Sequence, residues 1–177
     1  MANTWTIATQ GVAYALNKYM VDVFNGASSA RYVRLREIVC LNNGIAAVTG
    51  VILQMEIRKS NAASAGTSIT PITRDSANGA LDANTSAGTG RTVTDVAGAL
   101  FRRFVFANEE PVVAGAAFAN WLTLVPFGLV WPPSVGDAAL QPLTMRASVA
   151  EGYAVKNITS SAVGALDAEM TITDEAS

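Results

Sequence analysis

Few side chains in this 177-residue sequence could do chemistry. There is no histidine, which removes His-based triads, imidazole general bases and His-containing metal centres together. Cys40 is the only cysteine, so no internal disulfide can form. It lies among alternating β-formers, on the face opposite Val39 and Leu41, and reads as a small packed side chain rather than a nucleophile. Glu109 and Glu110 are adjacent, and adjacent residues of an extended chain point to opposite faces. They cannot readily converge on one bond as an acid–base pair, and a solvated loop before Pro111 is the better reading. Asp75, Asn78, Asp82 and Asn84 supply oxygen ligands, but their spacing does not match the twelve-residue calcium loop, and Asn and Asp favour turns anyway. Ser86-Ala-Gly-Thr-Gly90 lacks the lysine and following helix of a phosphate-binding loop. The expectation is a protein with no catalytic residue, no cofactor and no metal: not an enzyme.

The charges point the same way. Hydrophobic residues make up 50% and charged residues 15%, against roughly a quarter in ordinary domains, so part of the surface is expected to be covered in an assembly. A net charge of −2 argues against nucleic acid as a partner, since phosphate neutralisation needs clustered Lys and Arg. Arg31, Arg34 and Arg36, with Arg102 and Arg103, are the only basic concentration, read as solvated or paired with carboxylates, including those of a neighbouring copy. Up to Arg103 there are ten basic and six acidic residues; beyond it there are two and eight, an asymmetry that would suit head-to-tail contact between copies.

The elements that must hold these residues are strands. Trp5 and Ile7 alternate with Thr4 and Thr6, and Tyr19, Val21 and Val23 with Lys18, Met20 and Asp22, although a helix over Val12 to Met20 is also open. Val33, Leu35, Val39 and Leu41 share one face against Arg34 and Arg36. After Asn42-Asn43-Gly44, Val51, Leu53, Met55 and Ile57 share another against Gln54, Glu56 and Arg58. This predicts an antiparallel hairpin with one dry side. Residues 61–98 are rich in small polar side chains and predict edge strands near Ile69–Thr73 and Thr92–Val96, with Pro71 tolerable at an edge. Ser-Ala-Gly-Thr recurs at Ser64 and Ser86, and Gly-Ala-Leu-Asp-Ala at Gly79 and Gly164; with this composition both read as coincidence. Further alternation marks Leu100–Phe106, Leu143–Val149, Tyr153–Asn157 after a turn at Glu151-Gly152, and Glu169–Ile172 before an acidic tail. So many short strands predict an all-β antiparallel sandwich or barrel. The sandwich domain is expected over residues 25–177, with residues 1–24 as an N-terminal arm or an edge strand. The core expected from these patterns is Val33, Leu35, Val51, Leu53, Met55, Phe104, Trp121, Leu124, Trp131 and Met145.

No charge occurs between Glu110 and Asp137, and the length would allow a membrane span. Pro126 and Asn120 inside the run, and the lack of flanking Lys or Arg, oppose it. A small-residue turn followed by two core strands, Trp121–Val125 and Phe127–Trp131, fits better, and no membrane partner is expected. The opening residues lack the basic region and apolar core of a secretory signal, so the sequons at Asn84 and Asn157 read as chance and folding in a cytoplasm is expected.

Several phrases together resemble a family: small β-sandwich virion proteins of tailed bacteriophages, of the decoration or cement type. They are Tyr32-Val-Arg-Leu-Arg-Glu-Ile-Val with its Asn-Asn-Gly turn, Ile69-Thr-Pro-Ile-Thr-Arg-Asp-Ser-Ala-Asn, and Phe101-Arg-Arg-Phe-Val-Phe-Ala-Asn-Glu-Glu-Pro111. Leu124-Val-Pro-Phe-Gly-Leu-Val-Trp131, Gln141-Pro-Leu and Glu151-Gly-Tyr-Ala-Val-Lys156 complete the set, from Tyr32 to the C-terminus. Ala150 stands where the family usually has Gly. The resemblance implies jelly-roll-like topology and a multicopy component of the virion exterior, assembled in the host cytoplasm. Its expected partners are itself, as a homo-oligomer and first of all a trimer, and the major capsid protein. A neck, tail or fibre-base component is the nearest alternative. The coat protein of a small jelly-roll virus would want a basic arm that is missing here. A carbohydrate-binding module could use Trp5, Trp121 and Trp131 as a sugar platform.

Overall fold

The computed structural model describes residues 2–42, 51–108, 128–131, 142–159 and 164–176. Among them the regular structure is all strand: β1 (Asn3–Ala13), β2 (Tyr19–Asn25), β3 (Arg31–Asn42), β4 (Val51–Ser64), β5 (Thr67–Ile69) and β6 (Ile72–Thr73) come first. β7 (Thr85–Thr89), β8 (Thr92–Asn108), β9 (Gly128–Trp131), β10 (Leu143–Met145), β11 (Glu151–Asn157) and β12 (Ala165–Ala176) follow. Two antiparallel sheets pack face to face. One runs β10-β3-β12-β1-β6, with β9 also on β3; the other runs β5-β7-β2-β11-β4-β8.

The order has a simple logic. Set aside β5, β6 and β7, which lie between β4 and β8 in sequence, and count β9 and β10 as one strand position. Eight positions remain, and they divide as sixth-third-eighth-first and second-seventh-fourth-fifth. That is the jelly roll, a hairpin of paired strands wound around a common core. Successive strands β1 to β4 alternate between sheets, so each faces its chain neighbour across the core instead of pairing with it.

The hairpin expected of β3 and β4 is therefore not formed. β3 bonds β12, β9 and β10, while β4 bonds β11 and β8. Alternation specifies that each strand has a dry face, and here both dry faces meet in one core from opposite sheets: Val33 and Leu35 with Leu53, Met55 and Ile57, all fully buried. The turn at Asn43-Gly44 lies outside the described residues. The dry face of β3 also changes phase. Glu37 pairs with Thr171 and Leu35 with Ile172, so Arg36 is an unpaired bulge residue, and beyond it Ile38 and Cys40 point inward in place of Val39 and Leu41.

Residues 3–25 supply one strand to each sheet, so no structural boundary falls at residue 25. β1 bonds β12 along its length and buries Trp5 and Ile7. It is not a free arm, because those two side chains belong to the main core. It does resemble an edge strand over its second half, since β6 pairs only with Trp5 and Thr6. No helix forms over Val12 to Met20. Of the other expected core residues, Met145 is fully buried and Phe104 packs half-buried against the core. Trp121 and Leu124 lie outside the described residues, as do the side chains of Val51 and Trp131. The expected edges are real: β5 and β6 flank Pro71, and β8, which begins at Thr92, closes its sheet. The turn expected at Glu151-Gly152 falls earlier, around Ser148, whose φ is 59°. Gly152 lies inside β11, where a Cβ would come within 2.6 Å of the Val23 carbonyl oxygen, so the glycine serves close strand approach rather than reversal. β12 runs on to Ala176, through what read as a polar tail. The two Ser-Ala-Gly-Thr copies differ in conformation: Ala65 and Gly66 take positive φ in a turn, whereas Ala87 and Gly88 lie in β7.

Candidate functional site

Cys40 is fully buried, and burial alone pushes its thiol up to about 12, which leaves no nucleophile near neutral pH. The carboxylates of the Asp75–Asn84 loop are taken up by backbone N–H groups of the loop and of Ala30. Asp82 Oδ1 accepts from the Asn84 backbone N–H at 2.8 Å and Asp82 Oδ2 from Ala30 N–H, and Asp75 Oδ1 accepts from Ala77 N–H at 2.9 Å. The Asn84 hydrogen bond, with smaller help from Ala30, holds the Asp82 carboxyl below its usual range against modest burial. Among the described residues no group of Asp, Glu and Cys has the arrangement of a metal site.

The charged residues gather on the outer face of the β2-β11-β4-β8 region. Glu56 on β4 accepts from Arg58 and from Arg103 of β8, the latter at 2.9 Å through Nε. Asp95 accepts from the Tyr19 hydroxyl and from Lys156 Nζ, with Arg58 at 3.8 Å. Burial pushes Glu56 and Asp95 up, but hydrogen bonds outweigh it (Arg58 and Arg103 on Glu56, Lys156 and Tyr19 on Asp95), and both carboxyls stay below their usual range. Burial, then the Asp95 contact, raises the Tyr19 hydroxyl. Such a chain of donors and acceptors fastens four strands together.

Next to it, Arg91 from the short β7–β8 connection lies across β7. A Cβ on Gly88 would sit 2.0 Å from Arg91 Nε, so the guanidinium occupies the space where a side chain would stand. Arg91 donates to Asp22 Oδ2 at 3.2 Å, to Ser86 Oγ at 3.1 Å and to the Ala87 carbonyl at 2.7 Å. Asp22 is buried and its Oδ1 has no partner among the described residues; burial pushes the carboxyl up to about 7 despite the pull of Arg91. Sequence reading did not single out either residue. An aspartate among Val21, Val23 and Met20 in a strand buried on both faces was the available signal.

Two features remain open to other molecules. The first is β8, a 17-residue strand at the end of its sheet, whose outer edge no described residue pairs. It carries Leu100, Phe101 and Val105 at 40%, 42% and 63% exposure, with Phe101 edge-on to Tyr153 at 5.5 Å. The other described edges are strands of two to four residues, together with the second half of β1, which β6 leaves uncovered. The second is an open depression of about 440 Å³ on the outer face of β3 and β10, lined by Arg34, Arg36, Pro142 and Thr144. Of the tryptophans suggested as a sugar platform, Trp5 is taken up by the core and donates its indole N–H to Asp174 Oδ1 at 2.9 Å. No protein-family model matches the chain, and neither a curated protein nor a solved structure does.

Proposed function

We propose that this chain is a bacteriophage virion structural protein, a decoration or cement protein that self-associates and clamps neighbouring major capsid subunits without covalent chemistry. The observation that carries the reading is β8: the longest strand of the described sandwich, at the end of its sheet and carrying exposed apolar side chains. Long exposed edges are what monomeric proteins avoid and what strand-addition partners use. The phrases resembling phage virion proteins, and a jelly roll of the kind capsid proteins share with lectins and cupins, support it by analogy. Many weak contacts repeated over a lattice would add to firm attachment. Its place is then the capsid exterior, after assembly in the host cytoplasm, with a trimer as the first oligomer to test. Quantitative mass spectrometry of purified particles tests this directly. A copy number close to that of the major capsid protein is expected, and the count of a single ring would move the protein to the neck or tail.

A further inference from the structure

We infer that the depression beside the β3 bulge is a seat for one carboxylate brought by another molecule. Its walls come from paired strands: Thr144 of β10 is the register partner of Arg34 of β3, and Leu143 that of Leu35. Two residues further along β3, Arg36 lies on the same outer face as Arg34, and the bulge leaves it without a register partner on β12. Arg36 Nε donates to Thr173 Oγ1 at 2.9 Å, which fixes the plane of the guanidinium, and no described residue accepts from its two terminal nitrogens. A planar group held by one nitrogen presents the remaining parallel N–H pair as a fork, the geometry that matches a carboxylate. Pro142 supplies an apolar wall for the carbon chain behind it.

Charge selects among anions. Arg34 is already paired with Glu175, both about one-third exposed. The two guanidiniums and that one carboxylate leave a single net positive charge, enough for a carboxylate and too little for a phosphate dianion. The seat differs from most of the other cationic positions. Arg31, Arg58, Lys59, Arg74, Arg91, Arg103, Arg146 and Lys156 each pair with a carboxylate of the chain. The inference is independent of the cement reading, since it concerns a bound group and not where the protein resides.

The test follows the backbone amide resonance of Thr144, which every variant retains, together with the side-chain Nε–H of Arg36 in the wild type, by NMR at fixed ionic strength. Three probes are added separately: N-acetylglycine, a blocked tripeptide whose only carboxylate is a glutamate side chain, and inorganic phosphate. Saturable shifts with both carboxylates are expected, with phosphate following the unsaturated response of chloride. Tighter binding of the tripeptide would mark a protein side chain as the natural source, and tighter binding of N-acetylglycine a free small acid. Arg36→Gln should weaken binding about tenfold or more, while Glu175→Gln, which frees Arg34, should strengthen it. Chloride-like responses to both carboxylates, saturation by phosphate alone, or an unchanged affinity in both variants would overturn the assignment.

Discussion

At the scale of single residues the fold depends on one glycine more than on any catalytic group. Arg91 can lie across β7 only because Gly88 has no side chain, and only from there does it reach Asp22. Gly88→Ala should therefore displace the guanidinium and leave Asp22 buried without its partner. Breaking a buried pair in this way costs about 3–5 kcal/mol. Urea denaturation at pH 8, where Asp22 is ionised, should show a loss of that order in Gly88→Ala and a smaller one when Asp22→Asn is added. A single-variant loss below about 1 kcal/mol would mean that Arg91 finds an equivalent position.

Asp22 also sets an unusual pH dependence. Its folded value, about 7, lies above the unfolded 3.8, so it stabilises the fold fully below the unfolded value and loses that contribution as pH rises through about 7. Glu56, Asp95 and Glu151 are shifted down, Glu151 because Lys59 and the Arg146 backbone N–H outweigh its burial. Their contribution is present above their unfolded values and is lost as pH falls through the folded ones. Melting temperature against pH should pass through a weakly acidic maximum. Asp22→Asn should remove the decline toward neutrality and keep the acid limb; a decline that persists in this variant assigns it to another group.

At the scale of elements, β8 is where the proposed association would act. Val105 lies opposite Gln54 of β4 and points outward, so Val105→Lys removes apolar surface without touching the core. The monomer's stability should change by no more than about 0.5 kcal/mol. Sedimentation at rising concentration should show association in the wild type and its weakening in Val105→Lys. Equal association of the two would place the contact elsewhere.

The strands themselves were largely legible from alternation, as Leu53, Met55 and Ile57 show, and Cys40 read correctly as a packed side chain. Their partners were not. A dry face on β3 and another on β4 fit a hairpin and a jelly roll equally well, and only long-range pairing with β11 and β12 decides between them. The bulge at Arg36 was hidden because both phases of β3 carry apolar residues beyond it: Val39 and Leu41 in one, Ile38 and Cys40 in the other. β7 was missed because Thr-Ser-Ala-Gly-Thr has no large apolar residue; its small side chains serve to let Arg91 lie across it. The alternation over Leu100–Phe106 gave no hint that Phe101 and Val105 face outward on a strand at the end of its sheet.

At the scale of the whole molecule, winding the chain into a jelly roll removes the charge asymmetry along the sequence. Arg31 meets Asp174, Arg34 meets Glu175, Lys59 meets Glu151 and Arg74 meets Glu169, each a cation of the first part with a carboxylate of the last. A head-to-tail contact therefore loses the electrostatic motive that the sequence offered it. The same winding brings the chain ends together, since β1 and β12 are antiparallel neighbours with Asn3 opposite Asp174. Cα atoms so paired are about 5 Å apart, a distance a few glycines can bridge. The exposed loop between β6 and β7 is by contrast a place to cut, and at Gly79 an added Cβ would meet nothing within 4 Å. A circular permutant joined through the old ends by a short Gly-rich linker and opened between Asn78 and Gly79 keeps every strand pair of both sheets. It should melt within about 5 °C of the parent and give the same far-ultraviolet circular dichroism. A permutant opened inside β11, between Ala154 and Val155, should fail to fold, because β11 is bonded on both sides by β2 and β4. If the first permutant also failed, the β6–β7 loop or the juxtaposed ends would have to contribute more to the fold than the strand order implies.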